Sequence, residues 1–286
     1  MTDYEVGHYA RPELLASPRW LAENLERPGF GVLDVRWRPD GSGKRLYAEG
    51  HIPGASYLDW RTDLAEQEED TDTLLMAGPQ KLTDSMVRAG IGNGMAAVVY
   101  DDTGGTYAAR TWWTLRAYGL ESARILVGGI AAWQELGLPI STAAELRPPT
   151  TFTPRLDARA RLTAHDVKQL IGNHGVQLID ARTPAEYAGH AGTGRRLGHI
   201  PGSINLPVAS TARAAGSGMI RPRDELREIL RRAGVTPKRR LVCYDDAGLG
   251  ACKLAFVLTL MGYDDVAVYD GGWTEWGERL DLPVDA

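Results

Sequence analysis

Two short segments combine carboxylates with glycines in a way that could hold or repel a small charged molecule. They are Asp101-Asp102-Thr103-Gly104-Gly105-Thr106 and Asp245-Asp246-Ala247-Gly248-Leu249-Gly250. Each lies between an apolar run of strand character and a segment of helical character. In an open parallel sheet, loops at the carboxyl ends of strands meet helix N-termini with unpaired N–H groups, and ligands gather there. Glycine lets such a loop curl with its amides pointing inward, which makes a cup for a small anion. Thiol chemistry has few carriers: the two cysteines, Cys243 and Cys252, lie in one segment flanked by apolar residues. Their spacing suits neither a zinc site nor a disulfide scaffold, so no metal and no cofactor is expected.

The elements that must position these loops repeat along the chain. Val32-Leu33-Asp34-Val35-Arg36 matches Leu178-Ile179-Asp180-Ala181-Arg182, and Gly50-His51-Ile52-Pro53-Gly54 matches Gly198-His199-Ile200-Pro201-Gly202. Val98-Val99-Tyr100-Asp101-Asp102 matches Val242-Cys243-Tyr244-Asp245-Asp246, and Gly128-Gly129-Ile130-Ala131-Ala132-Trp133 matches Gly271-Gly272-Trp273-Thr274-Glu275-Trp276. Ordered landmarks at a nearly constant offset are the mark of a duplicated fold. The division expected is 1–148 and 149–286, with a join between about Glu145 and Asp157 where Pro148-Pro149 disfavours regular structure. Short apolar runs (Gly31–Val35, Ala97–Tyr100, Arg124–Val127, Gln177–Asp180, Arg240–Tyr244, Val266–Tyr269) read as buried strands. Ala108–Tyr118, Arg223–Ala233 and Ala251–Met261 read as helices. Strands alternating with helices imply an α/β domain with a mainly parallel sheet flanked by helices, occurring twice.

A formal net charge of −5 leaves no basic surplus for nucleic acid or anionic lipid, so neither is expected as a partner. No apolar stretch approaches the roughly 20 residues that cross a bilayer, and the N-terminus lacks a basic segment followed by an apolar run. A cytoplasmic protein without a membrane partner is expected.

The Asp-x-Arg strand end, the Gly-His-Ile-Pro-Gly turn, the strand-loop-helix and the Gly-Gly-x-x-x-Trp segment together resemble a rhodanese domain. The resemblance covers nearly the whole chain, in the tandem form of thiosulfate and 3-mercaptopyruvate sulfurtransferases. It implies a first domain without a catalytic cysteine and a second whose six-residue loop opens on one. That cysteine takes sulfur from a donor, holds it as a persulfide inside the amide cup, and passes it to a thiol or cyanide. The register follows from the downstream helix: Ala251-Cys252 and Gly262-Tyr263 match the family's helix, and counting back over six residues places the nucleophile position on Asp245. The internal repeat agrees, pairing Asp245 with Asp101. Cys243 falls two residues early, within a strand, and reads as a small buried hydrophobe.

A carboxylate cannot form a persulfide, so the resemblance implies a family member without the ordinary sulfur relay, retained for binding or regulation. The alternatives are a sulfurtransferase that uses Cys243, and a hydrolase in which Asp245, with Asp246, supplies a nucleophile or base. If the chain is active, its partner is a small-molecule sulfur donor or small anion; a protein partner suits the regulatory reading. Relatives that use thiosulfate often place basic residues in the loop and four positions after the Arg of Asp-x-Arg; here those places hold Asp246 and Glu186. Asp180, Arg182, Glu186, Arg195 and Arg196 are candidates for the second cleft, the last two in a glycine-rich insertion from Gly189 to Gly198. For Asp180 and Arg182 a strand-end salt bridge is favoured, for Arg195 and Arg196 a solvated loop, and for His51 and His199 a hydrogen bond that caps their Pro-Gly turn.

Overall fold

Apolar runs of four or five residues bounded by turn residues bury both faces of a strand, which a parallel sheet covered by helices provides. A computed structural model of the chain has this arrangement, and it describes every residue except 1–3, 5, 70, 72, 145–146, 193 and 214–219. Two compact units are present, the first built mainly of residues 1–66 and 76–156, the second mainly of 157–212 and 220–286. Of the expected join, 145 and 146 lie outside the described residues. Further along, Thr151 accepts from the amide of Asn93 at 3.2 Å and Arg155 donates its amide to Tyr118 O at 3.1 Å, so this stretch bonds to the first unit.

Residues 1–156 contain strands β1 (Leu15–Ala16), β2 (Phe30–Asp34) and β3 (Ala55–Tyr57), followed by β4 (Ala65–Gln67), β5 (Leu74–Met76), β6 (Ala96–Tyr100) and β7 (Ala123–Leu126). Five of them form a parallel sheet in the order β1-β7-β6-β2-β3, while β4 and β5 pair as a separate ribbon. The second unit contains β8 (Arg161–Leu162), β9 (Val176–Asp180), β10 (Ile204–Asn205), β11 (Arg240–Tyr244) and β12 (Val266–Tyr269). Their order, β8-β12-β11-β9-β10, again all parallel, repeats the first sheet strand for strand. The middle strands β6 and β11 lead into the helices Thr106–Ala117 and Leu249–Leu260. Leu249–Leu260 is apolar on every side, and most of its residues are buried, as its composition requires. Trp133 sits in the core of the first unit, and Trp273 and Trp276 sit in that of the second. Among the described residues, no helix is long and apolar enough to cross a membrane.

Each sheet is tied to its flanking turn by a buried ion pair at the end of the strand next to the middle one. Asp180 is fully buried and receives Arg182 Nη2 at 2.6 Å and the Arg182 backbone amide at 2.9 Å. The same Nη2 also donates to Gly198 O at 2.7 Å, which anchors the Gly-His-Ile-Pro-Gly turn. Asp34 and Arg36 repeat this, with Nη2 at 2.6 Å from Asp34 and 2.7 Å from Gly50 O. Register places Tyr100 opposite Asp34 and Tyr244 opposite Asp180. Their hydroxyls accept the amides of Ile52 at 3.2 Å and Ile200 at 3.1 Å, a second link to the same turn. The sequence reading expects His51 and His199 to cap their Pro-Gly turn by hydrogen bonding. Instead His51 and His199 reach Tyr47 O and Tyr187 O, both at 2.8 Å, and stack on those tyrosine rings. The tyrosine ring covers the imidazole face, so the histidine fastens the turn to the preceding helix.

Removing one partner of a buried ion pair leaves the other charge buried without compensation, which costs about 3–5 kcal/mol. Asp180→Ala should therefore lower the unfolding free energy of the second unit by about that amount in a urea titration. A loss below about 1 kcal/mol would show that the pair is dispensable.

Candidate active site

The loop of the second unit begins where β11 ends, and its shape is set by one glycine. Gly248 adopts a left-handed conformation, φ 79°, which turns the chain directly into the helix. Leu249 and Gly250 are therefore the first helical residues rather than loop, and Thr106 likewise opens its helix after left-handed Gly105. The turn directs free N–H groups back toward the strand end, where Asp245 occupies the cup. Its Oδ1 accepts from Gly248 N at 2.6 Å and its Oδ2 from Gly250 N at 2.7 Å. Hydrogen bonds from amides to a carboxylate are among the stronger ones, contributing on the order of 1.5–3 kcal/mol each.

A neighbour that sequence reasoning left out of the site holds the loop from beneath. Trp273 N donates to Asp245 O at 2.7 Å and Thr274 N to Asp246 O at 3.1 Å. This approach requires Gly272, whose φ is +59° and where a Cβ would lie 2.5 Å from both carbonyl oxygens. The repeated Gly-Gly pair is the signal that could have found it, since Gly129 meets Asp101 O in the same way.

In the first unit the matching aspartate is buried in its loop. Asp101 accepts four amides: Thr103 at 3.0 Å, Gly105 at 2.8 Å, Tyr107 at 2.9 Å and Ala108 at 3.0 Å. Asp102 is held by both terminal nitrogens of Arg38, at 2.9 and 2.7 Å. Among the described residues of the second unit no arginine clamps Asp246 in this way, and the position matching Arg38 is Pro184. Asp246 instead faces Arg182, with Nη1 to Oδ1 3.9 Å.

The surroundings of the second loop are acidic. Burial, the adjacent Asp245 and nearby Glu186 push the Asp246 carboxyl up to about 6, against the opposing pull of Arg182, although 47% of its side chain remains open to solvent. Glu186 is engaged in a capping box, its Oε2 accepting from Thr183 N at 2.9 Å and Thr183 Oγ1 at 2.5 Å. These bonds hold its carboxyl below the usual range. Asp180, Arg182, Glu186 and the loop thus come together, whereas the two arginines of the insertion do not join them. Arg196 donates to the carbonyls of Trp276 and Leu282, each at 2.7 Å, to Gly277 O at 3.2 Å and to Arg279 O, so it ties down the chain after the Gly-Gly segment. This corrects both the cleft and the solvated-loop readings of Arg196. Exposed Arg195 is fixed through its backbone amide to Glu278. Cys243 is fully buried in the middle strand, between Ile179 and Val268, and burial pushes its thiol well above the ordinary range. Cys252 is fully buried in the following helix.

The profile of the rhodanese-like domain matches residues 17–136 and again residues 163–279. The chain belongs to the rhodanese family. This rhodanese tandem is 31% identical to the 3-mercaptopyruvate sulfurtransferase of Escherichia coli K12, an alignment covering 93% of this chain and 95% of that one. It is 32% identical to the thiosulfate sulfurtransferase of Rattus norvegicus, covering 95% and 94%. Among solved structures, the crystal structure of SseA from Escherichia coli, a 3-mercaptopyruvate sulfurtransferase with the rhodanese fold, superposes with a TM-score of 0.81 at 28% identity, over 91% of this chain and 98% of that one.

Two outcomes follow for the rhodanese tandem. Because a thiolate is the reactive form and the Cys243 thiol is buried, alkylation by iodoacetamide in the folded protein should be orders of magnitude slower than in urea. Rapid alkylation without unfolding would contradict this burial. A carboxyl whose pKa is higher in the folded state destabilises that state once ionised. The contribution of Asp246 should therefore lower stability as pH rises from about 4 to about 6, the latter being its raised value. Asp246→Asn should remove that limb from a pH series of urea midpoints; an unchanged limb would assign it to another group.

Proposed function

We propose that this rhodanese tandem does not run the ordinary persulfide relay, because Asp245 stands at the nucleophile position, and that its second loop serves in binding or regulation. The observation that carries this reading is the carboxylate of Asp245 bonded to the amides of Gly248 and Gly250, where the persulfide sulfur would be stabilised in an active relative. An oxygen anion supplied by the chain itself fills the cup and holds the loop against external anions. The sequence contains no thiol other than Cys243 and Cys252, and both are buried. A relay through Cys243 would need that thiol to leave the middle strand of its sheet. A hydrolase built on Asp245 is disfavoured by the same two bonds, which point the carboxylate oxygens at amides. The expected ligand is a small molecule, a protein partner suits the regulatory reading of the tandem as a whole, and the working compartment is the cytoplasm.

The deciding measurement is intact mass after incubation with thiosulfate or with 3-mercaptopyruvate, followed by addition of cyanide. No gain of a sulfur atom and no thiocyanate are expected. Asp245→Cys should restore a weak activity, because the amides of Gly248 and Gly250 would lower the thiol's pKa toward the reactive thiolate. That activity should favour 3-mercaptopyruvate over thiosulfate, whose double charge Asp246 and Glu186 repel. Turnover by the unaltered protein at the rate of an ordinary relative, abolished by Cys243→Ser, would overturn the proposal.

A further inference from the structure

The duplicated fold contains its own control for the charges around the second loop. In the first unit Asp102 is saturated by Arg38. In the second, proline stands in place of that arginine, and Asp246 is left opposite Arg182 at 3.9 Å, too far for a direct hydrogen bond. The Arg182 side chain is 2% exposed and sandwiched against Trp273, with its guanidinium carbon 4.4 Å from the ring centroid. Its Nε and Nη2 are committed to Asp180 and Gly198 O, but Nη1 makes no hydrogen bond among the described residues. A fixed donor on a side chain 2% exposed therefore lies beside a half-open carboxylate acceptor, 3.9 Å apart, so that a ligand with adjacent acceptor and donor atoms could reach both.

We infer that Arg182 Nη1 and Asp246 form a two-point site for an uncharged carboxamide-type group, amide or thioamide, at the mouth of the second loop. An amide places an acceptor and an N–H donor side by side in one plane. Its oxygen or sulfur would accept from Arg182 Nη1 while its N–H donates to Asp246 Oδ1, each at an ordinary length of about 2.9 Å. The surrounding charges choose the class. Asp245, Asp246 and Glu186 repel a carboxylate or thiosulfate, and a purely donating cation would direct its N–H groups at those of Arg182. An amide meets both demands without net charge, and desolvated polar partners penalise a ligand that satisfies only one of them. This rests on the reading of the second loop as a binding site without the persulfide relay, and names the ligand chemistry for it.

The test is a titration of the full-length, nitrogen-15-labelled protein with acetamide, and separately with acetate, at the same concentrations. The amide signals of Gly248 and Gly250 and the indole signal of Trp273 are followed. Acetamide should give saturable shifts and acetate none. Asp246→Ala should weaken acetamide at least about ten-fold, the loss of one hydrogen bond to a charged group. Asp246→Asn, which keeps an acceptor oxygen, should retain most of the binding, and Asp102→Ala in the first unit should change nothing. The inference is overturned if acetate binds as well as acetamide, if no saturable shift appears, or if Asp246→Ala binds like the unaltered protein. Sulfur loading is scored independently by mass. Absent amide binding without sulfur loading removes only this inference, whereas sulfur loading removes the underlying reading.

Discussion

The structure depends on a carboxylate buried at the end of a strand and neutralised by an arginine two residues later. Asp34 and Asp180 are both fully buried, and an ionised carboxylate in such a place is tolerable only when its oxygens are filled. Each carboxylate receives its own arginine by side chain and backbone, and each arginine continues to the carbonyl of the glycine that opens the Gly-His-Ile-Pro-Gly turn. The pair therefore fixes two things together: where the strand stops and where the turn begins. A hydrophobic replacement could be as stable. It would lack the directional link between strand and turn, and in the second unit it would also remove the cation that faces Asp246.

On this common frame the two loops have diverged in openness. Asp101 is buried, while Asp245 remains partly accessible. The neighbouring aspartates repeat the contrast: Asp102 lies in a bidentate arginine clamp, and Asp246 is raised toward neutrality by burial and its acidic neighbours. One arginine, present as Arg38 and replaced by Pro184, supplies the clamp on Asp102 that Asp246 lacks among the described residues. The geometry of an amide cup needs glycine in the left-handed turn and a close glycine beneath, and both copies keep these. Nothing in that geometry requires a sulfur atom, so the fold can persist whichever anion the cup holds.

Much of this was legible in one dimension. Strands buried on both faces announce themselves as apolar runs, and the six strands and three helices expected from the sequence coincide with structural elements to within two residues. Duplication supplied the rest of the framework, since matched landmarks such as Asp34 with Asp180 and Gly129 with Gly272 identify positions where a buried charge or a missing Cβ is demanded. The burial of Cys243 followed from its place inside Leu241-Val242-Cys243-Tyr244. These properties are local: they depend on side-chain volume, polarity and backbone freedom at a position and its immediate neighbours.

What only the tertiary structure decided is how distant groups divide the available hydrogen bonds. Arg196 reads as a loop residue from its glycine-rich neighbours, yet it donates to carbonyls some eighty residues later, which no local pattern encodes. The edge strands β1, β3, β8 and β10 are two or three residues long and carry too little periodicity to stand out. Glu186 could be placed near the loop by resemblance, and its engagement by Thr183 is a local capping box in Thr183-Pro184-Ala185-Glu186 that the sequence reading left out. The sequence determined a duplicated α/β framework and an acidic loop, because those follow from residue type and order. That Arg182 bonds Asp180 and Gly198 O and only faces Asp246 required folding, because a guanidinium has five donors and only three-dimensional proximity settles which acceptors receive them.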